Sequence, residues 1–320
     1  MRWPRALSFV VGTNLPWLRY GGDFGANAWR PDGGVGRRDA VPELRRTLAR
    51  LADDGFTHVR WFMLCDGRAG LRPAPGGAPA GLDEFVFRDA DAAVDALERA
   101  GLRAIIVLFD FHWCLPAAVA GGVQTGGRRE SIADPHARAR LLEGVVAPIL
   151  DRYGRHPAVA AWDVMNEPEW VTRGGGGRAS AGRVPREAMR AFLGGVVALV
   201  HERTAHAATI GSASTRTLPL VEGLGLDVYQ AHWYDRLDRR APLARPVSAL
   251  GLDRPLLLGE FPTRGSSRRA AEILAAARLA GYAGAFAWSA LAGDGASDPA
   301  AMASALASLR TADAGPAARA

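Results

Sequence analysis

Ala161-Trp162-Asp163-Val164-Met165-Asn166-Glu167-Pro168-Glu169-Trp170 is the stretch from which the fold of this chain is read. Residues 159–165 form an apolar run broken only by Asp163, the pattern of a strand buried on both faces. The run stops at an amide, a carboxylate and a proline. Pro168 has no N–H for a sheet ladder, and its ring disfavours the helical region for the residue before it, which predicts an extended Glu167. A carboxylate is thereby placed at the carboxyl end of a buried strand, where α/β proteins carry their chemistry. A lone glutamate there is commonly a strand end turned to water. Trp162 and Trp170 on either side, and a second buried-strand glutamate at Glu260, argue against that plainer reading.

Outward from this segment the same pattern repeats. Strand-like runs fall at 7–12, 57–63, 103–109, 207–212, 226–234, 256–260 and 283–288, the first beginning close to the amino end. Helical spacing falls between them at 41–54, 89–100, 134–153, 185–204, 267–280 and 299–309, with at most a short helix at 218–224. In the first helix Leu44, Leu48 and Leu51 share a face and Gly55 stops it; in the third, Pro135 suits the first turn. Long Gly- and Pro-rich loops cover 15–31, 73–79 and 120–127, and 173–182 contains four consecutive glycines. Eight strands alternating with helical or irregular crossovers, with no linker and no repeat, predict a single (β/α)8 TIM barrel in the α/β class. The expected catalytic domain is 1–311, followed by a frayed, flexible tail at 312–320. No G-x-G-x-x-G opens a helix, as an open dinucleotide-binding sheet would require.

Composition narrows the chemistry. The 320 residues are 48% hydrophobic and 22% charged, within the range of a soluble globular domain. The formal charge is +6, but every one of the 39 cations is Arg and they are interleaved with 33 acids, so the bias reads as surface rather than as a nucleic-acid footprint. Having no Lys, the chain cannot be a Schiff-base aldolase, a pyridoxal enzyme or a Lys-dependent P-loop protein. Cys65 and Cys114 follow predicted strands and read as free or buried thiols. The run 6–11 is short and lacks a small-x-small cleavage site, so it is taken as the first strand, a cytoplasmic location is expected, and no run is long enough to span a membrane. A monomer is expected.

In a barrel the strand ends face one pocket. Here they carry Arg60, Asp110 with His112, Asn166 with Glu167, His232 with Tyr234, Glu260 and Trp288. Such a set suits cleavage of an acetal, which needs a proton on its leaving oxygen and a negative group beneath the anomeric carbon. Glu260 suits the nucleophile, kept ionised by Arg60 and the Tyr234 hydroxyl. Glu167 suits the acid, its pKa raised by an aromatic, partly dry setting beside Trp170. Asn166 is placed to meet a sugar 2-hydroxyl, Trp288 to floor the cleaved sugar, and Trp17, Trp113 and Trp170 to offer stacking faces. The spacing of the two carboxyls, which separates retention from inversion, is not fixed by sequence.

Arg on strand two, Asp-x-His on three, Asn-Glu-Pro on four, His-x-Tyr on six, Glu on seven and Trp on eight together resemble glycoside hydrolase family 5, the cellulases and β-mannanases of the retaining (β/α)8 clan. The resemblance runs from Gly12 to Trp288 in order. It implies Glu167 as acid/base, Glu260 as nucleophile, a covalent glycosyl intermediate, an oligo- or polysaccharide substrate of glucan or mannan type, and no cofactor. Taken singly, Arg60, His112 and His232 also read as satisfied structural residues, Trp17, Trp113, Trp170 and Trp233 as rim packing, and Asp163 as an internal cap or pair. Glu169 and Glu222 are expected to face water. The rivals are exo-action or transglycosylation on short saccharides or glycoconjugates, a non-catalytic glycan-binding barrel, and a divalent metal on His112, His232, Asp110 and Glu260. The last lacks any H-x-H after the first strand and any H-E-x-x-H, so no metal is expected.

Overall fold

The computed structural model describes Trp3 and residues 9–74, 78–175, 182–291 and 294–313. Parallel strands close into an eight-membered barrel in which each strand pairs with its neighbours in chain order. They are β1 (Val10–Leu15), β2 (His58–Phe62), β3 (Arg103–Asp110), β4 (Val159–Asn166), β5 (Ala207–Ser212), β6 (Tyr229–His232), β7 (Leu256–Pro262) and β8 (Gly284–Trp288). The (β/α)8 expectation is therefore correct, as are seven of the eight strand positions to within a few residues.

β1 is the exception. It runs Val10–Leu15 where 7–12 was expected: residues 7 and 8 lie outside the described residues, and Thr13 and Asn14 continue the strand, both fully buried, with Asn14 on the face turned to the barrel interior. β6 is shorter than expected, Tyr229–His232 where 226–234 was expected, and its register against β7 shifts between Ala231 and His232, so that His232 pairs with Glu260. The helix Val41–Asp54 matches the periodicity, burying Leu44, Leu48 and Leu51, and the left-handed Gly55 ends it. The helix expected at 134–153 has Asp134 as its cap, accepting from the Ala137 N–H, but it is not uniform. Pieces Pro135–Leu141 and Ala147–Tyr153 are joined by a wider turn at Leu142–Val146, where Pro148 offers no N–H to the preceding turn. The last helix reaches Asp313, so the start of the expected tail is helical; residues 314–320, like 75–77 and 176–181 of the two long loops, lie outside the described residues.

The crossovers are uneven. Helices Val86–Arg99, Arg186–Arg203 and Ala270–Ala280 cover β2–β3, β4–β5 and β7–β8. Between β5 and β6 there is only the turn Leu218–Leu220, and between β6 and β7 only Val247–Leu250. Inside the barrel an apolar plug of Val10, Ile105, Ala161, Ala207, Leu257 and Phe286 closes the amino-terminal end. Gly12 is required beside it, because a Cβ there would sit 2.3 Å from the Phe286 ring. Alternation along the strands then turns polar side chains inward above the plug.

Candidate active site

Arg60 is the centre of that polar layer. It is fully buried, and its guanidinium donates from Nε to Asp163 (2.9 Å), from Nη1 to Asn14 (2.9 Å) and Glu260 (2.8 Å), and from Nη2 to Asn166 (2.8 Å). A buried cation left unpaired is costly, so this degree of saturation is what allows an arginine inside the barrel. Asp163 also accepts from Gln230 Nε2 (2.6 Å) and the Gly211 N–H (3.0 Å), which bears out its reading as an internal pair. Asn166 passes the chain on, donating to Asp110 at 2.8 Å, and Asp110 accepts the backbone N–H and the ring of His112.

The two glutamates converge above this layer. A carboxylate oxygen of Glu167 and one of Glu260 lie within 4.8 Å of each other, with a His232 ring nitrogen in the same group. Carboxyls about 5–5.5 Å apart suit a direct nucleophile, whereas about 6.5–9.5 Å leaves room for an intervening water. Glu260 accepts from Arg60 and from the Tyr234 hydroxyl (2.9 Å). Burial pushes its carboxyl above the ordinary value, and Arg60 and Tyr234 oppose that by favouring the charged form. Burial also pushes Glu167 up, to about 7, with the Asp110 charge adding to the effect. Trp170 Nε1 donates to Glu167 at 2.8 Å and favours the carboxylate, so the aromatic setting raises this pKa through dryness and not through the indole N–H.

His232 Nδ1 lies 2.7 Å from Glu167, and burial lowers its pKa to about 4, so the ring is neutral near pH 7. Its Nε2 has no partner among the described residues. A proton on Nε2 would be a buried donor without an acceptor, so it belongs on Nδ1, facing Glu167. The same three residues have the spacing of a cation site. The oxygens of both glutamates and His232 Nδ1 are already engaged, however, and Arg60 already stands 2.8 Å from Glu260 as the site's cation. Asp110 and His112, named in the metal alternative, are not part of that group.

One local expectation is overturned. Glu167 is not extended but left-handed, at φ 48 and ψ 49. Its N–H reaches across to the Gly211 carbonyl (2.6 Å) and its own carbonyl accepts from Trp170 (3.2 Å), a tight turn that outweighs the preference set by Pro168. The left-handed backbone costs roughly 1–2 kcal/mol. It turns the carboxylate towards His232.

A cleft of about 600 Å³ opens over the pair, with Glu167, Trp170, Tyr234, Glu260, Arg264 and Trp288 in its wall. Trp288 packs edge-on against Phe62 and is oriented by an N–H bond to Asp294 (2.7 Å). Trp17 is half-buried and, like Trp288, packs against the Phe62–Cys65–Val107 cluster. His112 stands exposed at the rim, its ring tilted against that of Phe111; burial disfavours its charge but Asp110 beside it raises its pKa overall. Trp113 is not a stacking face: it is wholly buried against Phe109, with its N–H on the Ser131 hydroxyl (2.9 Å). Cys65 and Cys114 are buried free thiols.

Three residues of the site escaped sequence reading. Asn14 was hidden by the misplaced first strand. Gln230 sits two residues before His232, so the period-two rule points it into the same interior. Glu169, expected in water, is buried, accepting from the Ala213 N–H and the Thr217 hydroxyl, and burial pushes its pKa up to about 7. Glu222 is exposed as expected.

No family model matches the chain. The mannan endo-1,4-beta-mannosidase of Mytilus edulis is 23% identical over 320 residues, covering 88% of this chain and 83% of that protein. The endo-1,4-beta-mannanase of Eisenia fetida superposes with a TM-score of 0.78 at 24% identity, covering 94% of this chain and 91% of that one. A glycoside hydrolase family 5 mannosidase from Rhizomucor miehei superposes with a TM-score of 0.61 at 13% identity, covering 96% and 94%. The fold is that of the family 5 glycoside hydrolases. On this barrel both glutamates and Arg60 stand at or near the carboxyl ends of β4, β7 and β2, the face on which such barrels carry chemistry.

Proposed function

We propose that this protein is a retaining endo-β-1,4-mannanase. The observation that carries the mechanism is that one oxygen of Glu167 and one of Glu260 lie within 4.8 Å of each other, a spacing nearer the about 5–5.5 Å of retaining pairs than the about 6.5–9.5 Å that admits a water. The mannan substrate is supported by the names of the relatives, a mannan endo-1,4-beta-mannosidase and an endo-1,4-beta-mannanase.

In the first step Glu260 attacks the anomeric carbon from one face and Glu167 gives its proton to the departing glycosidic oxygen. The products are a glycosyl ester on Glu260 and an alcohol on the shortened chain. In the second step Glu167, now a carboxylate, takes a proton from a water that attacks the same carbon; the ester bond breaks and both carboxyls return to their starting states. Two inversions leave the configuration unchanged. Arg60 and Tyr234 hold Glu260 in line for attack, and they stabilise it again as the leaving carboxylate of the second step. Asn166, fixed by Arg60 and Asp110, presents its amide beside the acid for a sugar hydroxyl, and Trp288 forms the apolar floor.

The test is proton NMR of hydrolysis of a soluble β-1,4-mannan, in parallel with a β-1,4-glucan. The expected result is β-anomer at the new reducing ends before mutarotation, with a rapid fall in viscosity from internal cuts. First appearance of the α-anomer would overturn retention. Release of mannose alone would overturn endo-action, and cleavage of glucan only would overturn the substrate.

A further inference from the structure

Glu169 lies two residues beyond the acid Glu167, in the short turn Pro168–Val171, and the reaction described above gives it no part. It is 1% exposed and does not line the cleft. One of its oxygens, Oε1, accepts both the Ala213 N–H and the Thr217 hydroxyl; the other has no hydrogen-bond partner among the described residues. The chain closes over it from behind, since a Cβ on Gly175 would stand 2.8 Å from the Glu169 carbonyl oxygen. A carboxyl shut from water with one oxygen idle costs free energy that an apolar side chain in the same space would not. The residue is therefore explained by what its bound oxygen holds.

It holds the segment after β5. Residues 211–217 pass beside the cleft, where Ala213 is part of the wall. The far side of that segment is fixed. The Ser214 hydroxyl donates to Asp238 (2.5 Å), Asp238 accepts the Tyr234 N–H (3.0 Å), and the Tyr234 hydroxyl donates to Glu260 (2.9 Å). The near side meets the acid's turn twice: the Gly211 carbonyl takes the Glu167 N–H, and Glu169 binds Ala213 and Thr217. One segment thus connects to the acid on one side and to the nucleophile's partner on the other.

The turn needs its second attachment. Glu167 is left-handed at φ 48, while Pro168 after it favours an extended conformation. Relaxing towards the extended form would swing the carboxyl away from His232. The single backbone bond to Gly211 is a pivot for that rotation, and a bond two residues on, to the same fixed segment, blocks it. We propose that Glu169 is a positioning residue for the acid/base: by docking the turn Pro168–Val171 on Ala213 and Thr217, it keeps Glu167 aimed at the departing glycosidic oxygen. This rests on the glycanase reading and adds to it a residue that touches no substrate.

The test compares Glu169→Ala, Glu169→Gln and Thr217→Val with the wild type. The readout is kcat/KM, which reports the glycosylation step, on the polymer that the wild type cuts (β-mannan is expected) and on an aryl glycoside of the same sugar with a good leaving group. Glu169→Ala should lower kcat/KM on the polymer roughly tenfold to a hundredfold, the usual effect of an ångström-scale misplacement. It should leave the aryl substrate largely unchanged, because that leaving group departs without a proton. Glu169→Gln keeps an oxygen for Ala213 and Thr217 and should restore most of the polymer rate. Thr217→Val removes one attachment without emptying the site; it should show the same selectivity at smaller size, and it decides the matter if Glu169→Ala does not fold. Equal losses on the two substrates, or no loss on either, would overturn the positioning role and leave the glycanase reading standing. A Glu169→Gln variant as slow as Glu169→Ala would overturn it too, since charge rather than attachment would then be the cause. A wild-type protein that cuts neither β-mannan nor β-glucan would sink the glycanase reading and this role with it, before any variant is made.

Discussion

Glu167 holds its proton because it is buried, and that has a direct consequence for pH. With its pKa pushed up to about 7, the acid form dominates below that pH and is lost above it. The sign is therefore fixed: kcat/KM on unactivated mannan should fall as pH rises through about 7, and the acid limb should report Glu260 losing its charge at lower pH. Glu167→Ala should cost roughly 10²–10⁴ in turnover on mannan, the usual worth of a positioned acid. It should cost much less on an aryl glycoside with a good leaving group, in its glycosylation step, because such a group departs without a proton. Steady-state rates on mannan and on the aryl glycoside across pH check both points. Equal losses on the two substrates, or an alkaline limb that survives the substitution, would remove Glu167 from the acid role.

At the scale of the strands, the barrel interior is built to the size of Arg60. A Cβ on Gly211 of β5 would stand 2.5 Å from Arg60 Nη2 and 2.7 Å from Gln230 Nε2, and one on Gly259 of β7 would stand 2.4 Å from Gln230. Glycine within a strand commonly marks such a close approach. Gly211→Ala should therefore destabilise by about 1–3 kcal/mol through overpacking. It should also lower kcat/KM by shifting the guanidinium off Glu260. A thermal melt and rates measured on the same preparation would show whether the two effects travel together; a wild-type rate in a destabilised protein would separate Arg60 from the chemistry. Asn166 and Glu260 were legible in the sequence because a polar residue stands out sharply late in an apolar run, and Arg60 because a charge stands out within one. Asn14 was not, because polar residues following a short apolar run look the same whether the chain has left the barrel or is still lining it. Trp113 misled for a related reason: nothing in the sequence says whether an indole after a strand turns to the cleft or to the core. Glu169 looked like a surface acid until the loop after β5 was seen folded over it. Glu167's left-handed turn depends on a hydrogen bond to Gly211, which local preference cannot supply.

Over the whole molecule, cover is unequal. β3 and β4 are long, fully or almost fully buried strands, and the chain between them carries helices. β6 is four residues long, and the connections before and after it contain only the turns Leu218–Leu220 and Val247–Leu250. Segments with fewer apolar contacts open at lower free energy than the global transition. Amide hydrogen exchange should accordingly show β6 and its flanking turns exchanging before β3 and β4, and equal protection around the barrel would contradict that reading. His232 and Tyr234 belong to this lightly braced sector, yet they are tied to Glu167 and Glu260.

The turns beside β6 have a consequence for how such a protein changes over time. Asp235, Arg236 and Leu237, on the substrate wall, sit on a connection with no crossover helix to keep docked. Insertions or replacements there alter what the cleft admits without unseating the Arg60 centre or stripping a helix from the barrel. What the cleft admits is thus open to change on this flank, while the Arg60 centre is held by the strands of the barrel interior.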